Sequence, residues 1–319
     1  MDGGHRWPDF DLDVGPGGYA WWYVDALSDD GRCALVAIVF LGSVFSPYYR
    51  RASAKAPMGR AQPLQHVAVN VALYGPRGKR WAMTERSQRH LHRSANELAI
   101  GGSSLAWDGT KLRLSLDEWC MPWPERLRGS VTLHPLALAA CNPVALDEHG
   151  GHHWWPIAPC ARVDVELHSP NWQWQGNGYL DSNRGSRPLD QTFDNWQWSR
   201  ADMPSGGSAV IYDANEIDGA RRQLALRFDT HGGVENFDAP PDHQLPVSHW
   251  LLPRSQRCEA GQQPRVVKTL EDTPFYSRSL VDTHWLGQPV RAIHESLDLR
   301  RFSRAWVQAM LPFRMPRRG

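Results

Sequence analysis

Short runs of β-forming residues, cut again and again by turn sequences, constrain this chain more than any other feature. Runs rich in Val, Ile, Leu and aromatic residues occupy 19–26, 33–40, 66–74, 111–116, 130–133, 162–168, 209–212 and 223–228, a spacing that reads as a β-sandwich or barrel. Between some of them stand Ser28-Asp29-Asp30-Gly31, Gly75-Pro76-Arg77-Gly78 and Ser205-Gly206-Gly207-Ser208, residues that hairpins use where positive φ is needed. The 16 tryptophans, 27 glycines and 24 prolines suit aromatic-rich strands with many turns better than long helices. An all-β chain with few helices is expected, 85–98 being one candidate helix.

At 319 residues the chain is long enough to bury two medium cores. Trp21, Tyr23, Ala26, Gly31, Ala34 and Val36 align without gaps on Trp196, Trp198, Ala201, Gly206, Ala209 and Ile211. Each set is an aromatic strand, a turn and a small-apolar strand, and the offset is about half the chain. Two similar β domains, 1–158 and 159–319, would produce it.

Charge says little about partners: 35 basic and 34 acidic side chains give no electrostatic case for nucleic acid. Five scattered cysteines without a CxxC pair indicate neither a disulfide framework nor a thiolate zinc site, and fit a reducing compartment. Residues 1–10 are polar, so no signal peptide is expected there. The longest apolar run, 33–45, falls short of the roughly 20 residues a membrane helix needs. In the tail 299–319, Phe302, Trp306, Met310 and Phe313 recur at near-helical spacing among Arg300, Arg301, Arg304, Arg314, Arg317 and Arg318. This predicts a C-terminal amphipathic helix, either docked on the β core or lying in the headgroup region of an anionic membrane.

Unusual residues concentrate between 149 and 198. They include His149-Gly150-Gly151-His152-His153-Trp154-Trp155-Pro156, the segment 171–181 with Trp172, Trp174, Tyr179 and Asp181, and Phe193-Asp194-Asn195-Trp196-Gln197-Trp198. With 17–25, which carries Trp22 and Tyr23, and Phe45-Ser46-Pro47-Tyr48-Tyr49, this set resembles the carotenoid 1,2-hydratases, also called hydroxyneurosporene synthases, of phototrophic bacteria. The resemblance extends over nearly the whole chain and rests on the motifs in order. It implies tandem lipocalin-like β-barrels and hydration of the terminal ψ-end C1–C2 double bond of an acyclic carotenoid such as neurosporene or lycopene, without a cofactor. It also implies a cytoplasmic enzyme at the face of the inner, photosynthetic membrane.

Such a reaction needs an acid, a shielded electron-rich surface and one placed water. With the resemblance, Asp181 is the expected acid. Along an extended strand Tyr179 points to the same face, and an apolar pocket favours the protonated carboxyl. Asp181-Ser182-Asn183-Arg184-Gly185 also reads as a turn. His152 and Trp154 stand two apart as well, so a neutral imidazole could take the water's proton while an indole faces the cation. Trp172, Trp174, Trp196, Trp198, Trp22 and Tyr23 are expected to line the substrate site.

Other readings use the same residues. The histidines with Asp164, Glu166 and His168 raise a metal site, although no HExxH spacing occurs and none is expected. No GxSxG elbow supports a serine hydrolase, and Gly15-Pro16-Gly17-Gly18 lacks the Lys-Ser/Thr of a phosphate loop. A non-catalytic lipocalin-like carrier fits the composition equally well; a buried carboxyl in the cavity would tell against it. An isoprenoid cyclase or isomerase would share the protonation step and differ only in product.

Overall fold

The computed structural model describes residues 7–319, so the first six residues of the polar start lie outside it. The chain is mostly β and divides into two compact units. One comprises the described residues through Val144, His152–Pro188 and Ala309–Gly319, and the other Ala145–Gly151 and Leu189–Gln308. Residues 158 and 159, expected on either side of a domain division, both sit inside one continuous strand, His152–Ser169.

The first unit holds β1 (Tyr19–Ser28), β2 (Ala34–Leu41), β3 (Val67–Gly75), β4 (Gly78–Arg86), β5 (Leu91–Arg93), β6 (Glu97–Ile100), β7 (Ser103–Trp107), β8 (Leu112–Trp119), β9 (Arg126–Pro135), the two-residue β10 (Val144–Ala145), β11 (His152–Ser169) and β12 (Trp172–Gly185). Their order in the sheet is β4-β3-β2-β1-β12-β11-β9-β8-β7-β6-β5, with β10 beside β11 and a terminal strand, Arg317–Arg318, beside β4. One continuous apolar core joins Val24, Leu35, Val69, Ala82, Leu98, Leu114, Val131, Val163 and Leu180. A single sheet can bring side chains from so many strands together only by curling around them. Accordingly β4 comes against β8 and β3 against β6, pairs far apart in strand order. Arg86 on β4 and Glu118 on β8 form a buried ion pair at 2.8 Å across that gap, with Ser103 donating to Glu118 at 2.9 Å. Burial pushes the Glu118 carboxyl up, against the pull of Arg86.

The second unit has β13 (Phe193–Asp202), β14 (Ser208–Glu216), β15 (Arg221–Phe228), β16 (Val234–Asn236), β17 (Asp242–Leu245), β18 (Arg254–Arg257), β19 (Arg265–Asp272), β20 (Tyr276–Trp285) and β21 (Gln288–Asp298). Seven of these form a sheet in the order β16-β15-β14-β13-β21-β20-β19, and β17 pairs with β18. The sequence echo has a structural counterpart, since β1–β2 and β13–β14 are both antiparallel hairpins. Their turns carry Gly31 and Gly206, both at positive φ.

Two expected helices are corrected. Residues 85–98 end β4, make a turn at Gln88–His90 and continue as β5 and the start of β6. The tail is not one amphipathic helix but α2 (Leu299–Phe302) and α3 (Ala305–Met310), followed by a 3₁₀ turn at Leu311–Phe313 and the terminal strand; Pro312 and Pro316 keep α3 from continuing. The other helix, α1 (Pro47–Lys55), is capped by Ser46, whose hydroxyl accepts from the backbone of Tyr48 and Tyr49. Among the described residues no helix is long and apolar enough to cross a membrane.

Candidate active site

Residues 181–185 do not turn: β12 continues to Gly185 because it is paired on both sides, with β1 and with β11. The registers Tyr23↔Asp181, Asp25↔Tyr179 and Trp21↔Asn183 set the odd-numbered residues of β1 and β12 on one face. His152, Trp154 and Pro156 of β11 pair with Gly185, Asn183 and Asp181 and join that face. The even-numbered residues, Val24, Leu180 and Trp22 among them, point into the aliphatic core. The chemistry-bearing residues therefore occupy the sheet face opposite the core, and that face is buried as well.

Asp181 is 4% exposed. Its Oδ2 accepts from Trp154 Nε1 at 2.7 Å and from the Tyr179 hydroxyl at 2.8 Å. The structure thus brings together three of the four expected catalytic residues. Tyr179 is driven far above the usual phenol range by burial first, then by the charge of Asp181, its hydrogen bond to Asp181 and the charge of Asp25, with Trp154 opposing. Tyr179 is accordingly a donor and not a base near neutral pH.

Asp25 is a second carboxyl that the sequence reading passed over. It is fully buried on β1 and accepts from the Tyr23 hydroxyl at 3.2 Å. Tyr23 and Tyr179 meet edge to face at 6.1 Å, so the two Tyr-Xaa-Asp pairs form a checkerboard across two strands. The repeated spacing, 23/25 and 179/181, was the available signal.

His152 stands further along. Its Nδ1 is 2.9 Å from the Tyr19 hydroxyl, and the two rings stack. They meet across Gly185, where a Cβ would lie 2.5 Å from the Tyr19 ring and 2.6 Å from His152 Nδ1. Gly185 is four residues from Asp181, roughly 13 Å along a strand. An aromatic wall continues from Tyr19, with Trp21 stacked on it at 4.8 Å and Phe40 and Phe45 beyond.

Of the residues expected to line the site, only Tyr23 shares the face of Asp181. Trp22 packs in the core and donates to the Pro8 carbonyl. Trp172 and Trp174 also pack against the core. Trp196 and Trp198 lie on β13 in the second unit, Trp196 against Phe193 and Tyr212. A cleft of about 290 Å³ lined by Trp7, Leu138, Trp155 and Ile157 contains none of the odd-face residues. Among the described residues no group of three or more His, Cys, Asp and Glu could hold a metal ion; Asp164 instead takes His134 and Gln175 at the surface.

Fold and site define an antiparallel β protein that buries a carboxyl against phenol and indole donors, equipment suited to moving a proton away from water. Comparison narrows the class. The family model for carotenoid hydratase CrtC matches residues 37–319. The chain is 51% identical to the acyclic carotenoid 1,2-hydratase of Thiocapsa roseopersicina, covering all of this chain and 80% of that one. It is 50% identical to the enzyme of the same name from Rubrivivax gelatinosus, over 98% and 76%. The chain belongs to the carotenoid hydratase family. Among solved structures it is similar in fold to a putative AttH of Nitrosomonas europaea, at TM-score 0.61 and 14% identity over 92% and 97% of the two chains. It is similar also to CghA, at 0.53 and 13% over 93% and 94%.

Proposed function

We propose that this protein adds water across the terminal C1–C2 double bond of an acyclic carotenoid such as lycopene or neurosporene, with Asp181 as the acid. One observation carries the mechanism: in a member of this family, a buried carboxyl is held on one oxygen by Trp154 and Tyr179. Burial disfavours its charged form, so the carboxyl can deliver a proton to C2 and leave a tertiary cation at C1. The faces of Trp154 and Tyr23 shield that cation, an interaction worth up to about 2 kcal/mol when desolvated. Water then adds to C1 and His152 receives its proton. No step calls for a cofactor. A carrier would gain nothing from desolvating two carboxyls, Asp25 and Asp181.

The curled sheet and the repeated hairpin support reading each unit as a lipocalin-like module. Exposed Trp250 and Trp306 beside the arginines of α2 support peripheral contact with the membrane that dissolves the substrate. The test is incubation of purified protein with lycopene in H₂¹⁸O. A labelled tertiary alcohol is expected; an active preparation yielding only isomerised or cyclised carotenoid would replace the hydratase reading with the isomerase one.

A further inference from the structure

Asn183 lies on β12 between the acid and the histidine, two residues from each end of the stretch Asp181–Gly185. It is 4% exposed, and its carboxamide Nδ2 has no hydrogen-bond partner among the described residues. Its strand neighbours on the same face are Trp21 on β1 and Trp154 on β11. A buried amide donor without a protein acceptor is destabilising because it has given up its hydrogen bonds to water, and native structures satisfy such groups with ordered water. The indoles on either side leave that role to a small polar molecule.

The spacing also matches the reaction. Two residues along a strand span about 6.6 Å. An acid oxygen near C2 and a nucleophile near C1, each at a reactive distance of roughly 3–3.5 Å, can stand as far apart as this, so neighbouring positions on one strand face can serve the two carbons. His152, roughly 13 Å from Asp181 along the strand, is too distant to hold that water against the alkene unaided, but it is one step beyond Asn183.

We infer that Asn183 holds the water that captures the carbocation, which rests on the hydratase reading above. The Asp181 O–H bond breaks as the alkene π pair forms C2–H. A lone pair of the water held by Asn183 forms C1–O, and the resulting oxonium gives its extra proton to His152. That proton returns through solvent to Asp181, so alkene and water give alcohol with no change in the enzyme.

If Asn183 places the water, removing its carboxamide leaves protonation intact and starves the capture step. The cation then gives a proton back and the alkene is regenerated. In D₂O, Asn183→Leu should therefore form alcohol at least ten times more slowly while deuterium still enters recovered lycopene, raising the ratio of exchange to hydration at least tenfold. Asn183→Ser, whose hydroxyl can hold a water, should bring the ratio part of the way back. A variant that merely disturbs the fold would lose both reactions together. Thermal melting identifies that case, and Asn183→Ser then carries the measurement, its ratio expected to lie above that of the wild type. A wild-type ratio in folded variants overturns the inference while wild-type hydration keeps the functional reading. A wild type that makes no labelled alcohol overturns both.

Discussion

Two donors on one oxygen of Asp181 do more than hold the side chain. With Oδ2 occupied by the Trp154 N–H and the Tyr179 hydroxyl, the proton of the acid proposed above would sit on Oδ1, so in that mechanism the donors select the oxygen that protonates the alkene. Asp181→Asn keeps the shape and removes the acid. It should lower hydration by roughly 10²–10⁴-fold, the usual contribution of a general acid, with an unchanged melting temperature. Tyr179→Phe removes one bond to the carboxyl, worth about 1–2 kcal/mol, or roughly 5- to 30-fold in rate. It should also move the pH profile in a definite direction. A hydrogen bond to a carboxyl favours the charged form, so its loss raises the Asp181 pKa and shifts the alkaline fall in kcat to higher pH; a shift downward would mean that Tyr179 serves some other group. The phenol itself adds no limb to the profile near neutrality, because its own ionisation is displaced far upward. This pair was legible in the sequence, since residues two apart on a strand share a face. Carried further, the same rule would have set Trp172 and Trp174, odd distances from Asp181, on the other face, against the expectation that they line the site, and would have picked out Tyr23 with Asp25, the pair passed over.

At the scale of elements, runs of β-forming residues between turn sequences located the strands, and the runs are unbroken in β1 and β2 because nearly all of their residues are buried. Helix-forming composition misled at 85–98: β6 gains ladder bonds from β5 and β7, and local propensity yields to such pairing. In the second unit, β13, β18 and β21 are tied by a buried polar chain that the sequence did not announce, since its members are far apart along it. Ser199 Oγ is 2.8 Å from His294 Nδ1 and donates to Gln256, while His294 Nε2 is 3.0 Å from Ser296 Oγ. Burial, helped by Arg254, which donates to the neighbouring Ser279, lowers the His294 pKa from 6.5 to about 3. The folded state therefore refuses a proton that the unfolded chain accepts below about pH 6.5. Stability from this group is complete above that pH and is lost as pH falls toward 3, at up to about 1.4 kcal/mol per unit. Urea unfolding at pH 7 and pH 5 should show the wild type losing about 2 kcal/mol more than His294→Asn. Equal losses would mean that His294 titrates alike in both states.

For the whole molecule, the repeat of an aromatic hairpin disclosed two units, but not their boundaries. Sheet pairing is non-local: Tyr23 lies beside Asp181, and Arg317–Arg318 returns to pair with β4. Local sequence does not encode such returns. The proposed substrate, an acyclic carotenoid, dissolves in lipid, and the second unit carries a surface of the kind that the proposed membrane contact would use. Trp250 and Trp306 stack at 6.2 Å, Trp306 is 49% and Leu251 66% exposed, and Arg301 donates to the carbonyls of both Trp250 and Leu251. Exposed indoles beside arginines are favoured at the headgroup level, where ring and charge each find a suitable depth. Several of the arginines are already engaged, Arg300 by Asp194 and Arg301 by Asp298, so insertion of the rings should matter more than charge. Sedimentation with anionic phospholipid vesicles should fall at least threefold for Trp250→Ser with Trp306→Ser, and less on raising salt to 0.5 M, a change that removes most surface attraction. The double variant should hydrate detergent-dispersed lycopene at the wild-type rate and lose activity only on vesicle-borne lycopene. Equal loss on both substrates would transfer the role of these rings from membrane contact to the fold.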